Sequence, residues 1–156
     1  MPFRLGLIAD THGLLRPEAC DALRGSDAIL HAGDIGTPGI LDALAALAPT
    51  TAVRGNNDRG VWAERLPEAV TLEFAGVRIH LLHQLKDLAL APRAAGVQVV
   101  VFGHSHKPQA ERRDGVLHVN PGSAGPRRFR LPVTVALLTL APTGPDAVIV
   151  PLDAHA

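Results

Sequence analysis

The order of apolar segments predicts an α/β fold: two mixed β-sheets packed as a sandwich, with helices on the outside. Strand-length apolar runs alternate with helix signals early in the chain, and strands then follow one another. Several of these runs also end in Asp, Asn or His, which suits strands whose carboxyl ends build a common site.

The elements are justified in order. Residues 3–9 (FRLGLIA) read as a buried strand. Residues 17–24 read as a short helix, with Pro17 in its first turn and Gly25 just past its end. Residues 27–32 are a second strand. Thr37 stands at a helix cap before Pro38; Ile40, Leu41, Leu44 and Leu47 share one face, and Pro49 stops the helix. Residues 51–54 are a short third strand. Residues 70–74 and 77–82 form a hairpin around Ala75-Gly76, in which Val70, Leu72 and Phe74 alternate with Thr71 and Glu73. Residues 97–102 (VQVVVF) are apolar enough for a central strand. Residues 116–119, 133–140 and 147–152 complete the set.

A chain of 156 residues is expected to form a single domain, residues 1–156. With 47% hydrophobic and 19% charged residues it is not intrinsically disordered. Lys+Arg and Asp+Glu both number 15, so no net charge draws it to long nucleic acid or an anionic membrane. One cysteine, Cys20, excludes an internal disulfide framework and a Cys-rich zinc site. No apolar run approaches the ~20 residues of a membrane helix, and residues 3–9 lack the features of a secretion signal. The expectation is a soluble, cytoplasmic protein. The hairpin edge at 70–82 and an apolar tail offer surfaces for a homo-oligomer.

Five apolar runs lead into the same chemistry: Asp10-Thr11-His12, Asp34, Asn56-Asn57-Asp58, His83 and His104-Ser105-His106. Two carboxylates, an amide oxygen and four imidazoles suit borderline divalent ions rather than Ca²⁺. Seven side chains exceed the needs of one tetrahedral ion; with one carboxylate shared they supply about four contacts to each of two. Two ions ~3.5–4 Å apart form a clamp for in-line displacement at phosphorus. Two divalent charges would be balanced by Asp10, Asp34, a hydroxide and a phosphodiester monoanion. Taken singly, Asp10 and His12 also read as a helix cap, Asp34 as a strand-end turn, and residues 56–58 as a turn. His104-x-His106 after a buried strand has little purpose other than ligation.

The ordered set Asp10-x-His12, Gly33-Asp34, Gly55-Asn56-x-Asp58, His83, Gly103-His104-Ser105-His106 and Asn120-Pro121-Gly122-Ser123 resembles the calcineurin-like metallophosphoesterase superfamily, in particular its small bacterial and archaeal phosphodiesterase branch. The resemblance spans about residues 5–127. It implies a four-layer α-β-β-α sandwich and a divalent-metal-dependent phosphodiesterase acting on a small phosphodiester. It assigns Asp10, His12 and His106 to one ion, Asn56, His83 and His104 to a second, and Asp34 to a bridge. A bridging hydroxide would be the nucleophile. Mn²⁺ is the first choice of metal, with Fe, Zn, Co or Ni as alternatives. The alternatives to this function are a scaffold on the same fold, as in a eukaryotic retromer subunit, or a phosphomonoesterase or nuclease.

Two positions depart from the family pattern. Asn57 stands where many members have a catalytic His, and Asn cannot donate a proton at a useful pKa, so good leaving groups such as aryl alkoxides should be favoured. Asp58 is then assigned a hydrogen-bonding role behind the ligands. Gln84 replaces a Gly after His83, where it would narrow the pocket or shift the imidazole. His31, His80, His118 and His155 read as satisfied or exposed histidines, with His31 close enough to Asp34 to support it. Asn120–Ser123 reads as the turn bracing the His loop. Arg54 and Arg59 are candidates for substrate contact. Arg127-Arg128-Phe129-Arg130 reads as a solvated loop, with phosphate contact as the alternative.

Overall fold

The computed structural model describes residues 2–152; the tail histidine, His155, lies outside them. Ten strands and three short helices follow in the order β1 (Phe3–Ile8), α1 (Pro17–Leu23), β2 (Ala28–His31), α2 (Pro38–Ala45), β3 (Thr50–Ala52), α3 (Val61–Glu64), β4 (Ala69–Phe74), β5 (Val77–Leu82), β6 (Val99–Val101), β7 (Gln109–Arg113), β8 (Val116–Asn120), β9 (Thr134–Ala141) and β10 (Gly144–Pro151). They make two five-stranded mixed sheets, ordered β10-β9-β1-β2-β3 and β4-β5-β6-β8-β7. The strongly apolar β6 is central, as its sequence requires.

Strand alternation assigns every face. Leu5, Leu7, Leu30, Ala136 and Leu138 of the first sheet meet Ile79, Leu81, Val99, Val101 and Val119 of the second in an apolar middle layer. Each fully buried Leu, Ile or Val side chain among them is worth roughly 1.5–3 kcal/mol. The opposite parity of the first sheet, Ile8, Ile29 and Val135, packs on Ala19 and Leu23 of α1 and on Ile40 and Leu44 of α2. Thr37 occupies the cap position of α2 with extended backbone, but its side chain makes no capping bond; Pro38 and the buried face hold the helix start.

The outer layer of the second sheet is thin. Val100, Phe102 and Val116 are covered by Leu85, Leu88, Leu90 and Ala95. Its one regular turn is a 3₁₀ helix at Leu85–Asp87, and Pro92 leaves too short a run before it for a stable α-helix.

β7 and α3 were not evident in the sequence. β7 (QAERR) is an exposed edge strand with polar side chains on both faces, held by antiparallel pairing to β8. α3 is a single turn.

The topology positions the site. β1, β2 and β3 run parallel, as do β5, β6 and β8. Their carboxyl ends therefore emerge on one edge of each sheet.

Candidate metal centre

The loops beyond these strand ends are laced together by backbone bonds. Asp10 N–H donates to Gly33 C=O at 3.0 Å, His12 N–H to Asp34 C=O at 2.9 Å, and Gly103 N–H to His83 C=O at 2.9 Å. His104 N–H donates to Asp10 Oδ2 at 3.0 Å. Glycine is needed where chains approach most closely. A Cβ on Gly55 would lie 2.2 Å from Asp34 Oδ1, and one on Gly103 would lie 2.9 Å from Asp10 Oδ2.

The backbone is strained where ligands were expected. Eight non-glycine residues among those described have positive φ, and five are Asp10, His12, Asp34, His104 and His106. Such conformations cost of order 1–3 kcal/mol each and persist where the surroundings impose them, characteristically at functional sites.

All seven expected side chains converge. Asp10, His12 and His106 form one compact donor group, and Asp34, His83 and His104 another. His12 Nε2 lies 3.8 Å from Asp10 Oδ1 and 3.7 Å from Asp34 Oδ2. Asp34 Oδ2 is also 3.3 Å from His83 Nε2, so this carboxylate faces both groups. Asn56 Oδ1 completes the second, 2.9 Å from His83 Nε2 and 3.3 Å from His104 Nδ1.

Divalent cations fit these donors. His83 Nδ1–H donates to Ala32 C=O at 2.7 Å, which aims Nε2 at two acceptors, Asn56 Oδ1 and Asp34 Oδ2, so that position needs either a proton or a cation. His12 Nε2 and His106 Nε2 face each other at 3.3 Å, where at most one can donate. Asp10 Oδ1 is buried without a hydrogen-bond partner among the described residues. The cluster holds more acceptors than donors, and protons or metal ions reconcile them.

Electrostatics agree. Burial, opposed by His83 and reinforced by Asp34, pushes the Asp10 carboxyl up to about 7. Burial also works against the Asp34 charge, but hydrogen bonds from His83 and Asn57 outweigh it and hold this carboxyl well below the usual range. His83 is raised: burial opposes its charge, and Asp34 and Asp10 overcome that. Burial lowers His12 and His104, and with Arg128 and His12 brings His106 down to about 4. Lowered imidazoles keep their lone pairs free at neutral pH.

The residues behind the ligands are equally placed. Asn57 donates its backbone N–H to Asp34 Oδ1 at 2.9 Å and its side-chain amide to Asp34 Oδ2 at 3.0 Å. Asp58 accepts from Gly36 N–H at 3.0 Å and Gly55 N–H at 2.9 Å, tying the Asn56 loop to the Asp34 loop. Asn120 Nδ2 donates to Gly103 C=O and Ser105 Oγ, and Ser123 Oγ donates to Asp10 C=O. This one turn thus braces both the His104–His106 loop and Asp10.

His31 is wholly buried. Thr11 Oγ1 donates to Ile35 C=O at 2.8 Å and accepts from His31 Nε2–H at 3.0 Å, so His31 Nδ1 is free to accept Gly33 N–H at 3.1 Å. Thr11 was missed in the sequence; its one signal is its place between two ligands, where it must point away from them. His80 bonds Thr71 Oγ1, and His118 Nδ1–H donates to Val116 C=O, both away from the cluster. Gln84 does not displace His83; it lines a cavity of about 680 Å³ beside Asn56 and His83, with Arg54, Arg59, Glu64 and Asp87. Arg54 is paired with Glu68 at 2.7 Å.

Comparison with known proteins gives the same direction. The profile of the calcineurin-like phosphoesterase superfamily domain matches residues 3–142. The chain is 36% identical over 148 residues to a probable metallophosphoesterase of Methanothermobacter thermautotrophicus, covering 85% of this chain and 84% of that protein. Among solved structures it superposes on an archaeal phosphodiesterase with TM-score 0.79 and 22% identity, covering 95% of this chain and all of the other. It also superposes on vacuolar protein sorting 29 of Cryptosporidium parvum with TM-score 0.76 and 18% identity, over 95% and 96% of the two chains. A profile match over most of the chain and a relative of this identity are sufficient: the chain belongs to the calcineurin-like phosphoesterase superfamily and is a metal-dependent phosphoesterase.

Proposed function

We propose that the protein is a phosphodiesterase that hydrolyses small diesters with two divalent ions, Mn²⁺ foremost. The observation that carries this reading is the division of the donor atoms into two groups that share Asp34. Asp10, His12 and His106 would hold one ion, Asn56, His83 and His104 the other, and Asp34 both. Bound there, the ions supply Lewis acidity toward phosphoryl oxygens and a water acidic enough to act as nucleophile near neutral pH.

The chain's own residues position and tune. The Ala32 carbonyl fixes the His83 tautomer, Asn57 orients Asp34, and Asp58 fixes the loop that carries Asn56. The Asn57 amide is engaged with Asp34 and is too weak an acid to protonate a leaving group, so the departing oxygen would leave as its anion. Stabilised aryl alkoxides are therefore favoured over alkyl ones.

A neutral net charge and a cavity of about 680 Å³ support a small substrate over long nucleic acid. No helix among the described residues is long and apolar enough to cross a membrane. A cytoplasmic setting and self-association through the β4–β5 edge complete the reading. A complete donor set favours catalysis over a purely scaffolding role.

The test is metal analysis of the purified protein, joined to an aryl phosphodiester assay after chelation and metal add-back. Mn²⁺ should restore turnover, and Asp34→Ala should lower it by at least about a hundredfold. Turnover that survives both chelation and Asp34→Ala defeats the proposal.

A further inference from the structure

The eight positive-φ residues leave one unexplained. Five belong to the metal centre, and Ala75 and Asp114 precede Gly76 and Gly115 in hairpin turns, where φ is positive at both positions. The eighth is Phe129, with φ 54°. It is also 93% exposed, whereas Phe3, Trp62, Phe74 and Phe102 all pack into the protein. A bulky residue in the left-handed region is strained, and an exposed phenyl ring gains nothing from burial to offset it.

The loop that carries Phe129 starts at the metal centre. Ala124 N–H donates to Ala9 C=O at 3.1 Å, and Ser123 Oγ donates to Asp10 C=O at 3.0 Å. Arg16 Nε donates to Gly125 C=O at 3.2 Å, and a Cβ on Gly125 would lie 2.2 Å from Thr11 O. The chain is therefore pinned against residues 9–11 before it turns outward, and Leu131 N–H closes the turn on Arg128 C=O at 3.1 Å. Arg127, Arg128 and Arg130 are exposed and make no ion pair among the described residues. Arg128 stands three residues beyond Gly125, whose backbone packs on Thr11 between Asp10 and His12, so the turn that carries it rises from that flank of the site. A guanidinium without a carboxylate partner, held beside a site for phosphate esters, is a ready anion contact.

We propose that residues 126–131 form a substrate clamp in which Arg128 binds the phosphate charge and Phe129 lies against a planar substituent of the ester, an aryl ring or a nucleobase. This deepens the phosphoesterase reading and rests on it. The clamp makes Arg128 general for phosphate compounds and Phe129 selective for those with a flat group. Aromatic contact of this kind is sequence-tolerant and modest, whereas a charge-assisted Arg–phosphate bond is stronger.

The test is calorimetric binding of phenylphosphonate, whose C–P bond is not hydrolysed, and of inorganic phosphate to Mn²⁺-loaded wild type, Phe129→Ala and Arg128→Gln. Both substitutions lie in an exposed loop, and circular dichroism checks that each variant is folded. Phe129→Ala should weaken phenylphosphonate about fivefold and leave inorganic phosphate within about twofold. Arg128→Gln should weaken both about tenfold. Wild-type affinity for phenylphosphonate in Phe129→Ala, or for inorganic phosphate in Arg128→Gln, overturns the clamp, as does a wild type that binds neither anion. Because the readout is binding, a wild type that shows these effects yet hydrolyses no diester refutes the phosphodiesterase reading while upholding the clamp.

Discussion

Asn57 grips Asp34 at both ends: its backbone N–H meets Oδ1 at 2.9 Å and its side-chain amide meets Oδ2 at 3.0 Å. The carboxylate that faces both donor groups is thus held by the residue next to Asn56, itself a donor. Removing the amide takes away one of the two side-chain groups within hydrogen-bond reach of Oδ2, leaves it to His83 alone, and loosens the carboxylate's orientation. Asn57→Ala should weaken metal binding by about 10–100-fold, the usual cost of losing a partner behind a ligand. Titration of the metal-free variant with Mn²⁺ by calorimetry checks it, and unchanged affinity would show that Asp34 needs no such support.

Asp10 should respond in opposite directions to one substitution. Its Oδ1 is buried without a partner among the described residues, and burial raises its carboxyl to about 7, so at pH 8 the metal-free protein carries an ionised group it disfavours. Asp10→Asn removes that charge and should stabilise the metal-free protein at pH 8 by about 1 kcal/mol. The same change should abolish most of the rise in Tm that Mn²⁺ gives the wild type. Denaturation with and without metal reads both; a destabilised metal-free Asp10→Asn contradicts this account.

His31 should make stability depend on acid. Its neutral form is locked by donating from Nε2 to Thr11 and accepting at Nδ1 from Gly33 N–H, and complete burial lowers it to about 3. Protonation would put two N–H groups against each other at Gly33. Between pH 6.5 and about 3 the unfolded chain binds a proton here that the folded chain refuses, so this contribution falls as pH falls. Its steepest slope is about 1.4 kcal/mol per pH unit. Asp10 works the other way over part of that range, which is why the comparison must be with His31→Gln, where Asp10 is unchanged. The stability of wild type relative to that variant should shrink as pH drops from 6.5 to 5. Parallel curves from urea denaturation would mean that His31 accepts its proton when folded.

Asp58 is a matter of architecture more than chemistry. It accepts two backbone N–H groups, from Gly36 and Gly55, both beside ligand loops. Asp58→Ala leaves both donors without their partner and should cost about 2 kcal/mol of stability. Asp58→Asn keeps one acceptor oxygen and should recover about half. Equal losses in the two variants would point to side-chain volume rather than hydrogen bonding.

The sequence by itself determined which chemistries are present and on which strand ends they sit. Alternation along 70–74 and the apolar run of 97–102 identify their strands because side-chain direction in a strand is a local property. The residues that follow, Asp10, Asp34, His83 and His104, were legible only as an ordered set: singly, Asp10 and Asp34 read equally well as a cap and a turn, and their recurrence after successive strands is what pointed to a shared site. Local patterning could not reveal β7, which carries no apolar face, nor the thin cover over the second sheet.

Only the tertiary structure decided which groups meet. His12 and His106 come within 3.3 Å across 94 residues of chain, a proximity set by sheet register and loop closure and encoded in no segment of its own. The same is true of the engagement of Asn57 with Asp34, of the tautomer of His31, and of the strained exposure of Phe129. Periodicity reports a residue's relation to its neighbours in sequence, whereas a metal centre is defined by neighbours in space.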